Sequence, residues 1–322
     1  MNMNKNIQYE LWQECNNHCT YCTLGRSNNC KTSDEMKLEA IKTAIKEIRN
    51  LSKGEVSALG FIGGEFFQGQ LHNLSVKSAF MELVDVSNSL LSSGYINELW
   101  FNATLIDTDQ SDLMMTIDRI ENKDKLWILT SYDTKGRFHN LGKLSSWISN
   151  VHNLHSCFPE VRLNTTMIIT GDFIEQYLSG KLDLHKFKQE YGTKLFLKTP
   201  VKPDDLCDKS KEEINEMLGY EFFPRELDFM KFLMKYRENE GETEFANLFS
   251  NDLKAGELHK NFNNDELRNV VFTRSSDFKE ELHCDKNLKE IEKNKCGHSS
   301  IYNCFVDTDR CAVCCKNIVA SL

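Results

Sequence analysis

Three cysteines fall within eight residues in the run Cys15-Asn-Asn-His-Cys19-Thr-Tyr-Cys22. Thiolates at this spacing on one short loop can hold three corners of a four-iron, four-sulfur cube and leave the fourth iron open to a substrate or cofactor. That open iron is where chemistry can happen. A structural zinc is the competing reading, but zinc needs four ligands, and His18 would have to complete the set from between two of the cysteines. A second candidate, Phe61-Ile-Gly63-Gly64-Glu65, directly follows an apolar run. Paired glycines let a backbone approach a ligand with no Cβ in the way, and the carboxylate that follows can meet an ammonium group. An ordinary turn uses the same residues. Asn102-Ala103 and Ser131-Tyr-Asp133 close two further runs, where such polar residues also serve simply as turn formers.

The other cysteine group lies near the end of the sequence: Cys284, Cys296, Cys304, Cys311, Cys314 and Cys315, with His298 among them. A segment this short needs a staple to fold, and four thiolates around a metal would supply one. We expect Cys296, Cys304, Cys311 and Cys314 to hold a second iron-sulfur cluster, with zinc as the alternative. Cys30 is off the first pattern and reads as a free thiol. His139, His152 and His155 read as surface or packing residues.

The elements that must position these groups alternate through the first 200 residues. Strands are expected at Ile7 to Gln13, Val56 to Ile62, Ile96 to Leu105, Lys125 to Ser131, Val161 to Thr170 and Lys194 to Thr199. Helical spacing recurs between them, at Leu38, Ile41, Ile45 and Ile48, at Val76, Ala79, Phe80 and Leu83, and at Leu144, Trp147, Ile148 and Val151. Six such units imply an α/β fold with a parallel sheet, because sequential parallel strands are joined by right-handed helical crossovers. The first cysteine loop follows the first strand, at the end where barrel-like parallel sheets collect their sites. We expect residues 1–200 to form this domain and residues 201–275 a helical connector, with helices around Lys211 to Leu218 and Arg225 to Tyr236 and an interruption at Gly241. Residues 276–322 would be the cysteine-rich metal-binding segment.

A net charge of -9 argues against long nucleic acid as the default partner. The N-terminus lacks the apolar core of a signal peptide, and no stretch is long and apolar enough to span a membrane. A cytoplasmic location is therefore expected, where twelve cysteines are better explained by metal ligation than by disulfides.

With its Cys-x3-Cys-x2-Cys loop and an aromatic before the last cysteine, the chain resembles the radical S-adenosylmethionine superfamily. The resemblance implies a partial barrel of six β/α units and S-adenosylmethionine bound at a 4Fe-4S cluster on Cys15, Cys19 and Cys22. It also implies a place for Tyr21 near the adenine, and for Gly63, Gly64 and Glu65 at the methionine amino group, with Phe66 where the family usually has proline. Asn102, with Ala103 in place of a glycine, and Ser131 with Asp133 resemble strand-end residues that reach the rest of the cofactor. Arg137 is a candidate for the cofactor carboxylate and Asn164 for the cavity wall, and both also suit structural roles. The tail resembles the auxiliary-cluster segments of some members, without the full seven-cysteine pattern. The implied reaction is reductive cleavage to a 5'-deoxyadenosyl radical that takes hydrogen from a substrate, with a flavodoxin or ferredoxin as electron donor. A peptide or protein side chain is the expected substrate, a nucleoside, nucleotide or nucleic-acid base the alternative. A non-catalytic iron-sulfur or zinc protein for binding or electron transfer is the reading outside that class.

Overall fold

A computed structural model describes residues 5–22, 32–54, 56–138, 140–200, 206, 209–250, 257–261 and 270–272. Cys30, His139 and the tail cysteines, Cys296, Cys304, Cys311 and Cys314 included, lie outside the described residues. So does the 276–322 segment.

Six strands, β1 (Lys5–Glu10), β2 (Val56–Ile62), β3 (Glu98–Asn102), β4 (Leu126–Tyr132), β5 (Arg162–Ile168) and β6 (Thr193–Lys198), pair in parallel in the order in which they occur. Because the order never reverses, right-handed crossovers place the connecting helices on one face, and the sheet twists toward a partial barrel with its other face inward. The helices are α1 (Asp34–Arg49), α2 (Leu74–Ser92), α3 (Gln110–Asp118), α4 (Leu141–Cys157), α5 (Gly171–Leu178) and α6 (Leu184–Glu190). Each opens on a side chain that accepts from its first turn: Ser33, Asn73, Asp109, Asn140, Thr170 and Asp183. Helices α3, α5 and α6 are short, and their apolar spacing does not stand out in the sequence.

The core lies between sheet and helices. Phe61, Leu99, Phe101, Ile128 and Leu163 are buried with Ile41, Ile45 and Ile48 of α1 and Phe80 of α2. Phe80 and Phe101 meet with ring centroids 6.2 Å apart. Each such side chain contributes about 1.5–3 kcal/mol when taken from water.

After residue 200 come α7 (Lys211–Leu218) and α8 (Glu226–Ser250), the latter broken where Gly241 leaves helical geometry at φ 84°. The segment expected to be a helical connector also holds two strands. β7 (Glu257–Asn261) lies parallel to β1, and β8 (Val270–Phe272) is antiparallel to β7, so the sheet runs β6-β5-β4-β3-β2-β1-β7-β8. Glu-Leu-His-Lys-Asn has no apolar run to announce a strand. The unpaired backbone edge of β1 supplies the reason for one. No helix among the described residues is long and apolar enough to cross a membrane.

Candidate metal centre

The chain leaves β1 at its C-terminal end and passes through Trp12 into the cysteine loop. Trp12 is fully buried, edge-on to Phe66 at 5.0 Å, and its Nε1 donates to the Glu65 carbonyl at 2.7 Å. The exit of β2 runs against this segment: Gly64 N donates to Trp12 O at 2.9 Å and Glu65 N to Glu14 O at 2.8 Å. A Cβ on Gly63 would stand 2.2 Å from Trp12 O, and one on Gly64 2.1 Å from Glu14 O. The close approach that the glycine pair permits is thus to the chain's own cysteine-bearing backbone. Gly63 also holds φ at 137°, which L side chains rarely adopt.

Glu65 has no exposed surface. One carboxylate oxygen accepts from Phe66 N and Phe67 N, each at 2.9 Å, and the other from Thr104 N at 2.5 Å. The carboxylate therefore fastens the end of β2 to the end of β3. The first of these bonds exists because residue 66 is not proline, which has no N–H to give. Burial pushes the Glu65 carboxyl above its ordinary range, against the pull of those donors. Glu65→Gln keeps one acceptor oxygen but turns an amide N–H toward one of the three donors, at an expected cost of about 1–3 kcal/mol. A raised native pKa adds stability that is fully present below the unfolded value of about 4.3 and lost as pH rises through the native value. Urea unfolding across that window should show a flatter pH dependence for Glu65→Gln. An unchanged slope would refute this account.

Asp133 builds the opposite wall. Its Oδ1 accepts from Lys135 N at 2.8 Å and from Gly136 N, closing a turn. Thr20 N of the cysteine loop donates to Gly136 O at 2.9 Å, and a Cβ on Gly136 would reach the Tyr21 ring at 2.4 Å. The next residue, Arg137, is buried, with Nη1 3.9 Å from Cys19 Sγ and no partner for Nε. Tyr21 lies parallel to Phe222 at 6.0 Å, and Tyr220 shares a 3.0 Å hydrogen bond with Thr20. Residues 220–222, which follow α7, thus wall the loop.

The loop is further held by Gln68. Its Oε1 accepts from Asn16 N at 3.1 Å, while its Nε2 donates to Asn17 Oδ1 at 3.3 Å and to Ile106 O at 2.6 Å. Lys143 Nζ donates to Asn17 O at 3.1 Å. Buried Lys37 pairs with Glu14 at 2.8 Å, next to Cys15.

These residues fit a cluster. Cys15, Cys19 and Cys22 carry no disulfide, Cys19 buried and the others half-buried. Burial pushes the Cys15 thiol up to about 12, so its thiolate needs a neighbouring cation of the kind that iron supplies. Among the described residues no three His, Cys, Asp or Glu side chains converge as a single ion would require. A cube instead takes its thiolates at separate corners. His18, needed by the zinc reading, is exposed.

Asn102, Ser131 and Asn164 share one face of the sheet. Asn102 and Asn164 both register with Leu129, Ser131 lies two residues further along β4, and the alternate positions Phe101, Ile128, Thr130 and Leu163 are the buried ones. Thr130 accepts from Trp147 of α4 at 3.2 Å, which marks its side as the helical one. The three polar residues therefore lie on the face without helices. Asn164 Oδ1 is buried there without a donor.

A family model for a 4Fe-4S single cluster domain (Fer4_12) matches residues 8–134. The match supports a 4Fe-4S cluster. It takes in the cysteine loop, Gly63, Gly64, Glu65, Asn102, Ser131 and Asp133, and ends before Arg137 and Asn164. No curated protein matches the chain. Gln68, Gly136, Tyr220 and Phe222 were not singled out from sequence. Of these only Gly136 carried a signal, as the glycine of Asp133-Thr-Lys-Gly, a pattern that forms turns.

Proposed function

We propose that this chain is a radical S-adenosylmethionine enzyme. The observation that carries the reading is the meeting, at the C-terminal ends of sequential parallel strands, of a three-cysteine loop, the glycine-paired exit of β2 and the strand-end residues Asn102 and Ser131, with Asn164 on the same sheet face in register with Leu129. The matched 4Fe-4S single cluster domain is one found in radical S-adenosylmethionine-type proteins.

In this reading Cys15, Cys19 and Cys22 hold the cluster, whose open iron would bind S-adenosylmethionine and, once reduced, yield methionine and a 5'-deoxyadenosyl radical that takes hydrogen from substrate. The chain's own part is placement and exclusion. The backbone of Gly63 and Gly64 fixes the loop. The polar face orients what enters, and Tyr21 with Phe222 closes off water. An electron donor such as a flavodoxin or ferredoxin would supply the reducing equivalent. A peptide or protein side chain is the substrate we propose, on the strength of the cysteine-rich tail as an auxiliary-cluster segment.

Anaerobically reconstituted protein given dithionite and S-adenosylmethionine should release 5'-deoxyadenosine. A cluster-loaded protein that releases none would be a binding or electron-transfer protein instead.

A further inference from the structure

Arg137 is a cation enclosed by groups that carry no permanent charge. It is 7% exposed, and among the described residues no carboxylate pairs with it. Asp133, in the same turn, spends its Oδ1 on the backbone of residues 135 and 136. A buried guanidinium without a counter-charge is strongly unfavourable, so a fold that keeps one there is built for negative charge to arrive beside it.

The groups facing it are Cys19, Tyr21 and Cys15. Its position is fixed from both sides, by the Asp133 turn behind it and by the Thr20 N to Gly136 O bond of 2.9 Å in front. The side chain approaches a cysteine sulfur, at 3.9 Å, with Nη1.

We propose that Arg137 is a positioning residue for the cluster, donating a charge-assisted N–H···S bond to the Cys19 thiolate and thereby raising the cluster's reduction potential. The inference rests on the cluster reading above. Reduction adds one electron, from an external donor of the flavodoxin or ferredoxin class, to an oxidised cluster that already carries thiolate charge. A cation and a hydrogen bond at one sulfur favour the more negative, reduced form. Arg137 lies beyond the matched residues 8–134, so the device is not part of that domain model.

The test is a dithionite titration of the anaerobically reconstituted full chain, followed by electron paramagnetic resonance without S-adenosylmethionine, for the parent, Arg137→Gln and Arg137→Lys. At the parent's midpoint, Arg137→Gln should show a reduced-to-oxidised ratio about tenfold lower, which is 59 mV for a one-electron couple. Arg137→Lys keeps the charge but loses the planar fork and should shift less, in the same direction. If Arg137→Gln fails to assemble a cluster, the lysine variant decides alone, and a parent-like potential in it overturns the proposal. A parent-like potential in Arg137→Gln, with weaker S-adenosylmethionine binding, would overturn it in favour of a contact to the cofactor carboxylate. A parent that assembles no four-iron cluster would overturn both this inference and the reading beneath it.

Discussion

Cys19→Ala, reconstituted anaerobically with iron and sulfide, is expected to lose the four-iron chromophore and the paramagnetic signal of its reduced form. Cys19 is the buried member of the three, and its loop is pinned at Thr20 and again where Cys22 N donates to Cys19 O at 3.1 Å. Neither remaining cysteine can slide into its place. The substitution also leaves Arg137 facing a methyl group, a buried cation without its counter-charge. Removing one partner of a buried charge pair costs about 3–5 kcal/mol, so the empty chain should also unfold more readily than the parent. The 5'-deoxyadenosine release proposed above should fall to background. Cys157→Ala, at an exposed free thiol, is the control and should change neither readout. A parent-like spectrum from Cys19→Ala would refute the ligand assignment.

Gly64→Ala should be nearly as damaging, by a different route. Its Cβ would lie 2.1 Å from Glu14 O and 2.5 Å from Gln13 O, and both are backbone atoms. No side-chain rotation relieves such a contact. The exits of β1 and β2 must separate, breaking the Gly64 N to Trp12 O and Glu65 N to Glu14 O bonds and moving Cys15 with them. A loss of about 3 kcal/mol is expected, at the upper end for overpacking, together with loss of cluster iron. Urea midpoints and iron content measure the two effects. A variant with parent-like values in both would mean that the two exits do not meet as described.

The parallel sheet was legible because its strands are short runs carrying apolar, β-branched or aromatic residues, and helical spacing intervenes between several of them. Boundaries were less so. The first strand was expected to reach Gln13 but ends at Glu10, where the Gly63-Gly64 exit begins to replace ladder pairing with single backbone bonds. β7 could not be read, because its residues are polar and its existence depends on an edge supplied more than two hundred residues earlier. The cysteine loop was found by spacing alone. Its supports were not, since Gln68 acts through a side-chain amide that carries no pattern, and Phe222 reaches Tyr21 only after the chain has folded back from α7. Phe66, noted in sequence as a departure from proline, proves to be a buried ring and an extra N–H donor to Glu65.

The wall that residues 220–222 lend to the cysteine loop bears on when the protein can mature. Thr20 meets Gly136 across 116 residues and Tyr220 across 200. While the chain is being synthesised from its N-terminus, the three thiols emerge long before the rings that shelter them. Iron delivered to a nascent chain would meet a loop open to solvent and oxygen, so productive loading belongs after translation has passed α7.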